Sequence, residues 1–135
     1  MDQELHPLTI RIIKETDVYL AMNESEKLAV AIGFDQSMVL KIKTAVSELT
    51  RNILKYAERG SITLSPLLSP KKGIEIFVRD NGPGIADIET ALSDNFSTGG
   101  TLGLGLPGVK RMMDEFEIDT QHDQGTRITV RKWIR

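Results

Sequence analysis

At residues 74–84 the chain reads Ile74-Glu75-Ile76-Phe77-Val78-Arg79-Asp80-Asn81-Gly82-Pro83-Gly84. The first six residues form an apolar run typical of a strand, and Asp80 closes it. A carboxylate at the end of a buried strand could accept a hydrogen bond from the exocyclic amine of adenine. Gly82 and Gly84 would let the backbone approach a flat base closely. Taken alone, however, the segment is better explained as an ordinary turn, because its residue types favour turns in any context.

A helical pattern precedes this strand. Its apolar residues recur at spacings of three and four and predict one buried face, formed by Met38, Ile42, Ala45, Leu49, Ile53 and Tyr56. Glu48 and Asn52 lie one above the other beside that face, and Lys55 falls in the same sector. The amide oxygen of Asn52 suits Mg²⁺, and Glu48 could accept a proton from an attacking hydroxyl. The alternative is a solvated helix edge, at which Glu48 contacts Lys55 or Asn52 and has no chemical role.

A third segment reads Gly103-Leu104-Gly105-Leu106-Pro107-Gly108 and has the spacing G-x-G-x-x-G. A dinucleotide-binding loop would need a preceding strand and an acidic residue about 20 positions further on, where the chain has Ile128. The strand and catalytic-loop motifs of a eukaryotic-type kinase are also absent from the sequence. A glycine-rich backbone that runs into a helix N-terminus still favours anion binding, and Pro107 suits the first helical turn.

The predicted order is one strand, two helices, two strands, a long loop, one helix and two strands. Strands are expected at Thr9–Ile13, Ser61–Leu68, Gly73–Arg79, Phe116–Thr120 and Thr126–Ile134, and the last helix at Pro107–Met113. This order lacks the regular alternation of a doubly wound parallel sheet. It predicts an α/β (α+β) two-layer sandwich, with helices on one face of a mixed, mostly antiparallel sheet. The glycine-rich loop at about 86–103 is expected to be a functional lid.

The limits of the first two helices are predicted from their capping residues. We expect Thr16 or Asp17 to cap the first helix and Gly33 to end it. Asp35 is expected to cap the second helix, and Gly60 to end it.

Composition narrows the possible functions. The chain has 135 residues, enough to bury a core as one domain, which we expect to span 1–135. It has no cysteine, which excludes zinc-thiolate chemistry and fits a reducing cytoplasm. A net charge of −2 and a pI near 5.7 argue against a nucleic-acid partner. No apolar run approaches the ~20 residues of a membrane span, and no signal peptide is recognisable. We therefore expect a soluble, cytoplasmic protein that does not bind membranes.

Other polar residues are expected to lie on the surface. His6 and His122 have no ligand-type residues nearby in the sequence. The basic residues of the last strand are expected to form a solvated face, with partner binding as the alternative: Arg127, Arg131, Lys132 and Arg135.

Taken together and in this order, the segments resemble the GHKL, or Bergerat-fold, ATPases. Glu48 and Asn52, followed by Lys55-Tyr56, match the asparagine box of that group. Asp80-x-Gly82-x-Gly84 matches its first glycine box, and Gly103-x-Gly105 its second. Gly125-Thr126 resembles the late Gly-Thr pair that stands near the adenine.

Within that group the chain is similar to the small bacterial stressosome switch serine kinases of the RsbT type. The resemblance is carried by four stretches, Ala45-Val46-Ser47-Glu48-Leu49-Thr50-Arg51-Asn52-Ile53, Asp80-Asn81-Gly82-Pro83-Gly84-Ile85, Phe96-Ser97-Thr98 and Gly105-Leu106-Pro107-Gly108-Val109-Lys110-Arg111-Met112-Met113-Asp114-Glu115-Phe116.

The resemblance implies a Bergerat fold in which ATP lies between the helices and the lid. It also implies that Glu48 acts as base, that Asn52 binds Mg²⁺ and that Asp80 recognises adenine. The implied nucleotide-binding residues are Asn52, Lys55, Asp80, Gly82, Gly84, Ile85, Thr98, Gly103, Leu104, Gly105, Leu106 and Thr126. The implied substrates are STAS-domain antagonist and scaffold proteins, phosphorylated on serine or threonine. The kinase would afterwards bind and activate a PP2C-type phosphatase.

Two alternatives belong to the same group. One is an anti-sigma factor serine kinase that binds a sigma factor directly. The other is the ATPase domain of a histidine kinase, which would need a dimerisation helix with a phosphoacceptor histidine. The surroundings of His6 do not provide one, and histidine kinases usually have asparagine where this chain has Glu48.

Overall fold

The computed structural model describes residues 5–82, 105–121 and 125–135. In chain order the described elements are β1 (Leu8–Ile12), α1 (Glu15–Ile32), α2 (Gln36–Tyr56), β2 (Gly60–Leu67), β3 (Gly73–Asp80), α3 (Gly105–Met112), β4 (Glu115–Gln121) and β5 (Gly125–Trp133). The predicted lid at 86–103 lies outside the described residues.

The five strands form one sheet in the order β1-β2-β3-β5-β4, and each described pairing is antiparallel. Alternate residues are buried along β1, β2, β3 and β5 and half-buried along β4, because successive side chains point to opposite faces. Ile76, for example, lies opposite Leu64 and Val130, and none of the three side chains is exposed to solvent. The helices cover this buried face. The two-layer α/β fold predicted from the sequence is thus confirmed, and the mostly antiparallel sheet is antiparallel at all its described pairings.

The start of α1 differs from the prediction. The helix begins at Glu15 with Lys14 as its N-cap, so the predicted cap at Thr16 or Asp17 is wrong. Asp17 lies in the first turn, where its carboxylate reaches back to accept the backbone N–H groups of Ile13 (2.9 Å) and Lys14 (3.1 Å). The hydrogen bond from Ile13 is the main reason that the pKa of Asp17 is lowered. Asp17 therefore stabilises the helix start from inside the first turn.

The next two predicted caps are confirmed. Gly33 ends α1 with φ at 117°, a left-handed conformation that glycine adopts without strain. Asp35 caps α2, since its Oδ1 accepts the backbone N–H of Met38 at 2.9 Å. These signals are local, so the sequence contains them fully.

The end of α2 was predicted incorrectly. The helix ends at Tyr56, and Gly60 is the first residue of β2. Gly60 pairs with Asp80, and a Cβ at this position would lie 2.3 Å from the carbonyl oxygen of Arg79. The glycine is therefore required by close packing in the sheet. Tyr56, which was expected on the buried face, is 44% exposed, because the helix terminates at that residue.

Lys132 departs from the predicted solvated face. It is 6% exposed and donates to the backbone carbonyl of Met112 at 2.7 Å, at the C-terminal end of α3. A cation is favourable at this end of a helix. Burial lowers the pKa of Lys132, while the carboxylate of Asp114 at 4.0 Å acts in the opposite direction. Lys132 thus fixes α3 on the inner face of the sheet.

Replacing Lys132 with methionine keeps an unbranched apolar side chain but removes the donor to Met112. We expect the free energy of unfolding to fall by roughly 1–3 kcal/mol, the range for a buried polar group that loses its partner. Urea-induced unfolding of the variant and the wild type measures this difference in the free energy of unfolding. Lys72→Met is the control, because Lys72 is exposed. If both variants lose equally little stability, Lys132 does not fix α3.

Candidate active site

Asp80, at the end of β3, holds together two parts of the backbone. Its Oδ1 accepts the backbone N–H of Gly82 at 2.9 Å and that of Thr126, in β5, at 3.3 Å. The side chain is half-buried. Among the described residues, no hydrogen bond reaches its second oxygen, Oδ2. One carboxylate oxygen is therefore fixed by the fold, and the other could accept a hydrogen bond from a ligand.

Three glycines lie around Asp80, at positions where β2, β5 and the end of α2 come close to the end of β3. A Cβ at Gly125, where φ is +90°, would lie 2.0 Å from the carbonyl oxygen of Asp80. A Cβ at Gly82 would lie 2.7 Å from the Cβ of Ala57, just beyond α2. A Cβ at Gly60 would lie 3.1 Å from that of Asp80. Only glycine permits these approaches, so the backbone segments around Asp80 pack closely.

Thr126 lies beside Asp80, since its backbone N–H donates to Asp80 Oδ1 at 3.3 Å. The residue is 8% exposed, and its hydroxyl is 3.3 Å from that of Thr120 in β4. The hydroxyl of Thr120 also donates to the carbonyl oxygen of Gly125 at 3.3 Å. Sequence reasoning missed Thr120 and Gly60 as supporting residues. A glycine in a strand can indicate close backbone approach, which was the available signal for Gly60.

Glu48 makes a contact that the sequence did not predict. The residue is 3% exposed, and its Oε1 accepts the backbone N–H of Gly105 at 3.0 Å. Gly105 is the first residue of α3 and has φ at +54°. A carboxylate is favourable at the N-terminal end of a helix. The alternative of a solvated helix edge is therefore wrong, since Glu48 is buried against the second glycine box.

Asn52 lies one turn beyond Glu48 on α2 and is half-buried, whereas Lys55 is exposed. The ammonium of Lys55 lies 5.2 Å from the ring centroid of Tyr56. Gly82 packs against Ala57, so the turn after β3 lies against the end of α2. Helix α2 thus connects the first glycine box to the second.

The remaining predicted site residues have different outcomes. Leu106 is 3% exposed and belongs to the hydrophobic core, so only its backbone could contact a ligand. His6 is exposed, as expected. Five predicted ligand contacts and one surface histidine lie outside the described residues: Gly84, Ile85, Thr98, Gly103, Leu104 and His122.

No preformed cluster of three or more His, Cys, Asp or Glu residues that could hold a metal ion occurs within residues 5–82, 105–121 and 125–135. Asn52 offers a single amide oxygen, which matches the manner in which Mg²⁺ is bound together with waters and phosphates. In the same described part of the chain, no helix has the length and apolar character needed to cross a membrane.

Comparison with known sequences gives a consistent result. A sequence model described as "Histidine kinase-like ATPase domain" matches residues 14–132. The serine/threonine-protein kinase RsbT of Bacillus subtilis is 44% identical over 127 residues, covering 93% of this chain and 96% of the relative. An anti-sigma F factor of Thermoanaerobacter sp. (strain X514) is 32% identical over 126 residues, covering 84% and 87%.

Comparison with solved structures supports the fold alone, because sequence identity is low. The RsbU and RsbW domains of a Mycobacterium tuberculosis protein superpose with a TM-score of 0.68 at 17% identity. That match covers 96% of this chain and 33% of the longer one. The SiaB-SiaC complex of Pseudomonas aeruginosa gives a TM-score of 0.60 at 12% identity, with 96% and 90% coverage.

Glu48→Ala and Glu48→Gln should differ in stability. Alanine leaves the buried N–H of Gly105 without an acceptor, at a cost of roughly 1–3 kcal/mol. Glutamine retains a carbonyl oxygen at the same place and should lose less. Urea-induced unfolding of both variants and the wild type tests this. Equal stability of the alanine variant and the wild type would contradict the described contact.

Proposed function

Because the chain belongs to the family of histidine kinase-like (GHKL-type) ATPase domains, we propose that it is an ATP-dependent protein serine/threonine kinase that acts as a partner switch. The observation that carries the proposal is the half-buried carboxylate of Asp80, held through one oxygen and surrounded by glycines. The 44% identity to a relative named as a serine/threonine-protein kinase supports the same activity.

In this proposal Asp80 selects the base of the nucleotide. Its Oδ1 is already bound to Gly82 and Thr126, so Oδ2 accepts the exocyclic amine of adenine. The resemblance adds the residues between the two glycine boxes to the nucleotide contacts, namely Gly84, Ile85, Thr98, Gly103 and Leu104. Gly105 and Leu106 would contribute backbone groups at the start of α3, which favours anions.

Asn52 is proposed as the protein ligand of Mg²⁺, through its amide oxygen. The bound ion would neutralise part of the charge on the phosphates. Lys55 adds a cation to the same side of α2, where it attracts the anionic nucleotide. A single protein ligand fits this arrangement, since Mg²⁺ commonly keeps several waters and bridges to substrate phosphates.

Glu48 is proposed as the base that accepts the proton of the attacking hydroxyl. Its contact with Gly105 holds the carboxylate against the second glycine box, where the phosphates are expected. Phosphoryl transfer depends mainly on positioning and on charge neutralisation, so one oriented carboxylate suffices as base. A carboxylate also suits a neutral serine or threonine hydroxyl.

The proposed substrates are STAS-domain antagonist and scaffold proteins, and the later partner is a PP2C-type phosphatase in the same cytoplasm. These partners rest on the resemblance to RsbT-type kinases. The second candidate is an anti-sigma factor kinase that binds a sigma factor directly, which the 32% identity to an anti-sigma F factor favours. The higher identity and wider coverage of the RsbT match favour the first candidate.

The direct test is to incubate the purified chain with Mg-ATP and a STAS-domain antagonist. We expect acid-stable phosphate on a serine or threonine of the antagonist, and no phosphate on His6 or His122. Phosphorylation should release the antagonist, because the added charge meets an acidic protein. Acid-labile phosphohistidine would contradict the proposal. Tight binding of a sigma factor without affinity for a phosphatase would favour the second candidate.

Asp80→Asn should abolish or strongly weaken nucleotide binding while the fold is kept. The amide oxygen of asparagine can still accept from Gly82 and Thr126, but its NH₂ group then faces the amine of adenine, donor against donor. We expect the dissociation constant for Mg-ATP to rise roughly ten- to a hundredfold in isothermal titration. Asp119→Asn, an exposed change on the same sheet, is the matched control. Near-native affinity of the Asp80 variant would remove Asp80 from the site.

A further inference from the structure

Three arginines lie in one line on the face of the sheet that the helices leave open. The register pairs Arg11 with Ser61, Ser61 with Arg79, and Arg79 with Arg127. Paired residues of antiparallel strands point to the same face, and this face is opposite to that of Ile10 and the other buried strand residues. All three arginines are exposed. We call Arg11, Arg79 and Arg127 the arginine row.

A cavity opens beside the arginine row. It has a volume of about 320 Å³ and is lined by Arg11, Ile13, Arg59, Gly60, Ser61, Arg79, Asp80 and Asn81. Arg59 therefore adds a further guanidinium group to the two that the row contributes. Arginine presents a planar fork of donors that matches carboxylates and phosphates in two-point contacts.

One acidic residue is in register with the arginine row, since Asp119 of β4 lies directly opposite Arg127. Within the described part of the chain, neither the row nor Arg59 takes part in an ion pair. Arg79 and Arg127 lie directly opposite each other, which is unfavourable for like charges. An anion bound across the row would relieve this repulsion.

A nearby arginine on the same sheet face shows the contrast. Arg131 of β5 pairs with Glu75 at 2.9 Å, with Glu115 at 2.9 Å and with Glu117 at 3.2 Å. The sheet thus supplies three carboxylates to Arg131, whereas the arginine row has only Asp119 in register with it, at the Arg127 end, and makes no ion pair among the described residues. These three carboxylates would repel an anionic ligand from the part of the face around Arg131. An anionic ligand is therefore expected to bind only at the arginine row.

We propose that the arginine row is a docking surface for a short acidic segment of a partner protein, whose Asp or Glu side chains pair with the guanidinium groups. The row crosses three inter-strand steps, roughly 14 Å, which an extended segment of about four residues spans. A long polyanion such as a nucleic acid would also meet Glu75, Glu115 and Glu117, and the net charge of −2 would repel it. A short peptide avoids both penalties.

The arginine row lies on the reverse side of the nucleotide site. Arg79 and Arg127 directly neighbour Asp80 and Thr126, and successive strand residues point to opposite faces. The side chains of Arg79 and Arg127 therefore point away from those of Asp80 and Thr126, although Asp80 also lines the edge of the cavity. The docking surface goes beyond the proposed function, because the docking requires neither ATP nor phosphoryl transfer.

The test uses the full chain and a fluorescein-labelled hexaglutamate peptide, whose binding is followed by fluorescence anisotropy at low ionic strength. The double change Arg11→Ser with Arg79→Ser should weaken binding roughly fivefold or more, since each exposed ion pair contributes modestly. The matched control is Lys41→Ser with Lys72→Ser, which removes two exposed charges outside the row and should change binding little. Arg59→Ser, outside any strand, tests the same cavity without altering the sheet.

Equal weakening in the two double variants would overturn the proposal, as would equal binding of the wild type to a hexaglutamine peptide. Tighter, row-dependent binding of a single-stranded oligonucleotide would also overturn it, in favour of a nucleic-acid surface. The double arginine variant should bind Mg-ADP with native affinity, which separates docking from the nucleotide site. A chain that binds hexaglutamate through the row but no nucleotide would contradict the proposed function and leave the docking surface intact.

Discussion

The carboxylate of Asp80 binds two backbone amides, those of Gly82 and Thr126. These amides belong to a turn after β3 and to a strand 46 residues further along the chain. The backbones meet closely around this contact, since a Cβ at Gly125 would lie 2.0 Å from the carbonyl oxygen of Asp80. It also orients the second oxygen, Oδ2, which accepts no hydrogen bond from the residues that the structure describes. The position of the proposed nucleotide site follows from this one interaction.

Helix α2 provides the second constraint. Gly82 packs against Ala57 beyond its end, and Gly105 donates to Glu48 in its middle. Gly82 and Gly105, the described residues on either side of 83–104, are therefore both held against α2. Glu48 has a structural contact as well as its proposed role as base. A change at Glu48 that affects activity must be interpreted together with its effect on stability.

The sequence predicted those features that depend on local chemistry or on an extended motif. Gly33 and Asp35 are caps that a few neighbouring residues determine, and the position of Asp80 at the end of β3 followed from the apolar run before it. The contact of Glu48 with Gly105 joins residues 57 positions apart, so no local pattern contains it. The period-two spacing of Lys132 with Ile128 and Val130 indicates the buried face of β5. The positive charge of Lys132 led instead to the incorrect prediction of a solvated position. Asp17 was predicted as the N-cap of α1, but it lies within the first turn and its carboxylate reaches backward to Ile13 and Lys14.

The proposed selection of adenine depends on Oδ2 of Asp80, which accepts a hydrogen bond from the exocyclic amine of the base. Adenine presents an amine at the position where guanine presents a carbonyl oxygen, so a carboxylate should accept the first base and repel the second. The most direct measurement is isothermal titration of the wild-type chain with Mg-ATP and with Mg-GTP. ATP is expected to bind at least about tenfold more tightly, which is the difference expected when a site built for one hydrogen-bonding group meets its opposite. Equal affinity for the two nucleotides would contradict it.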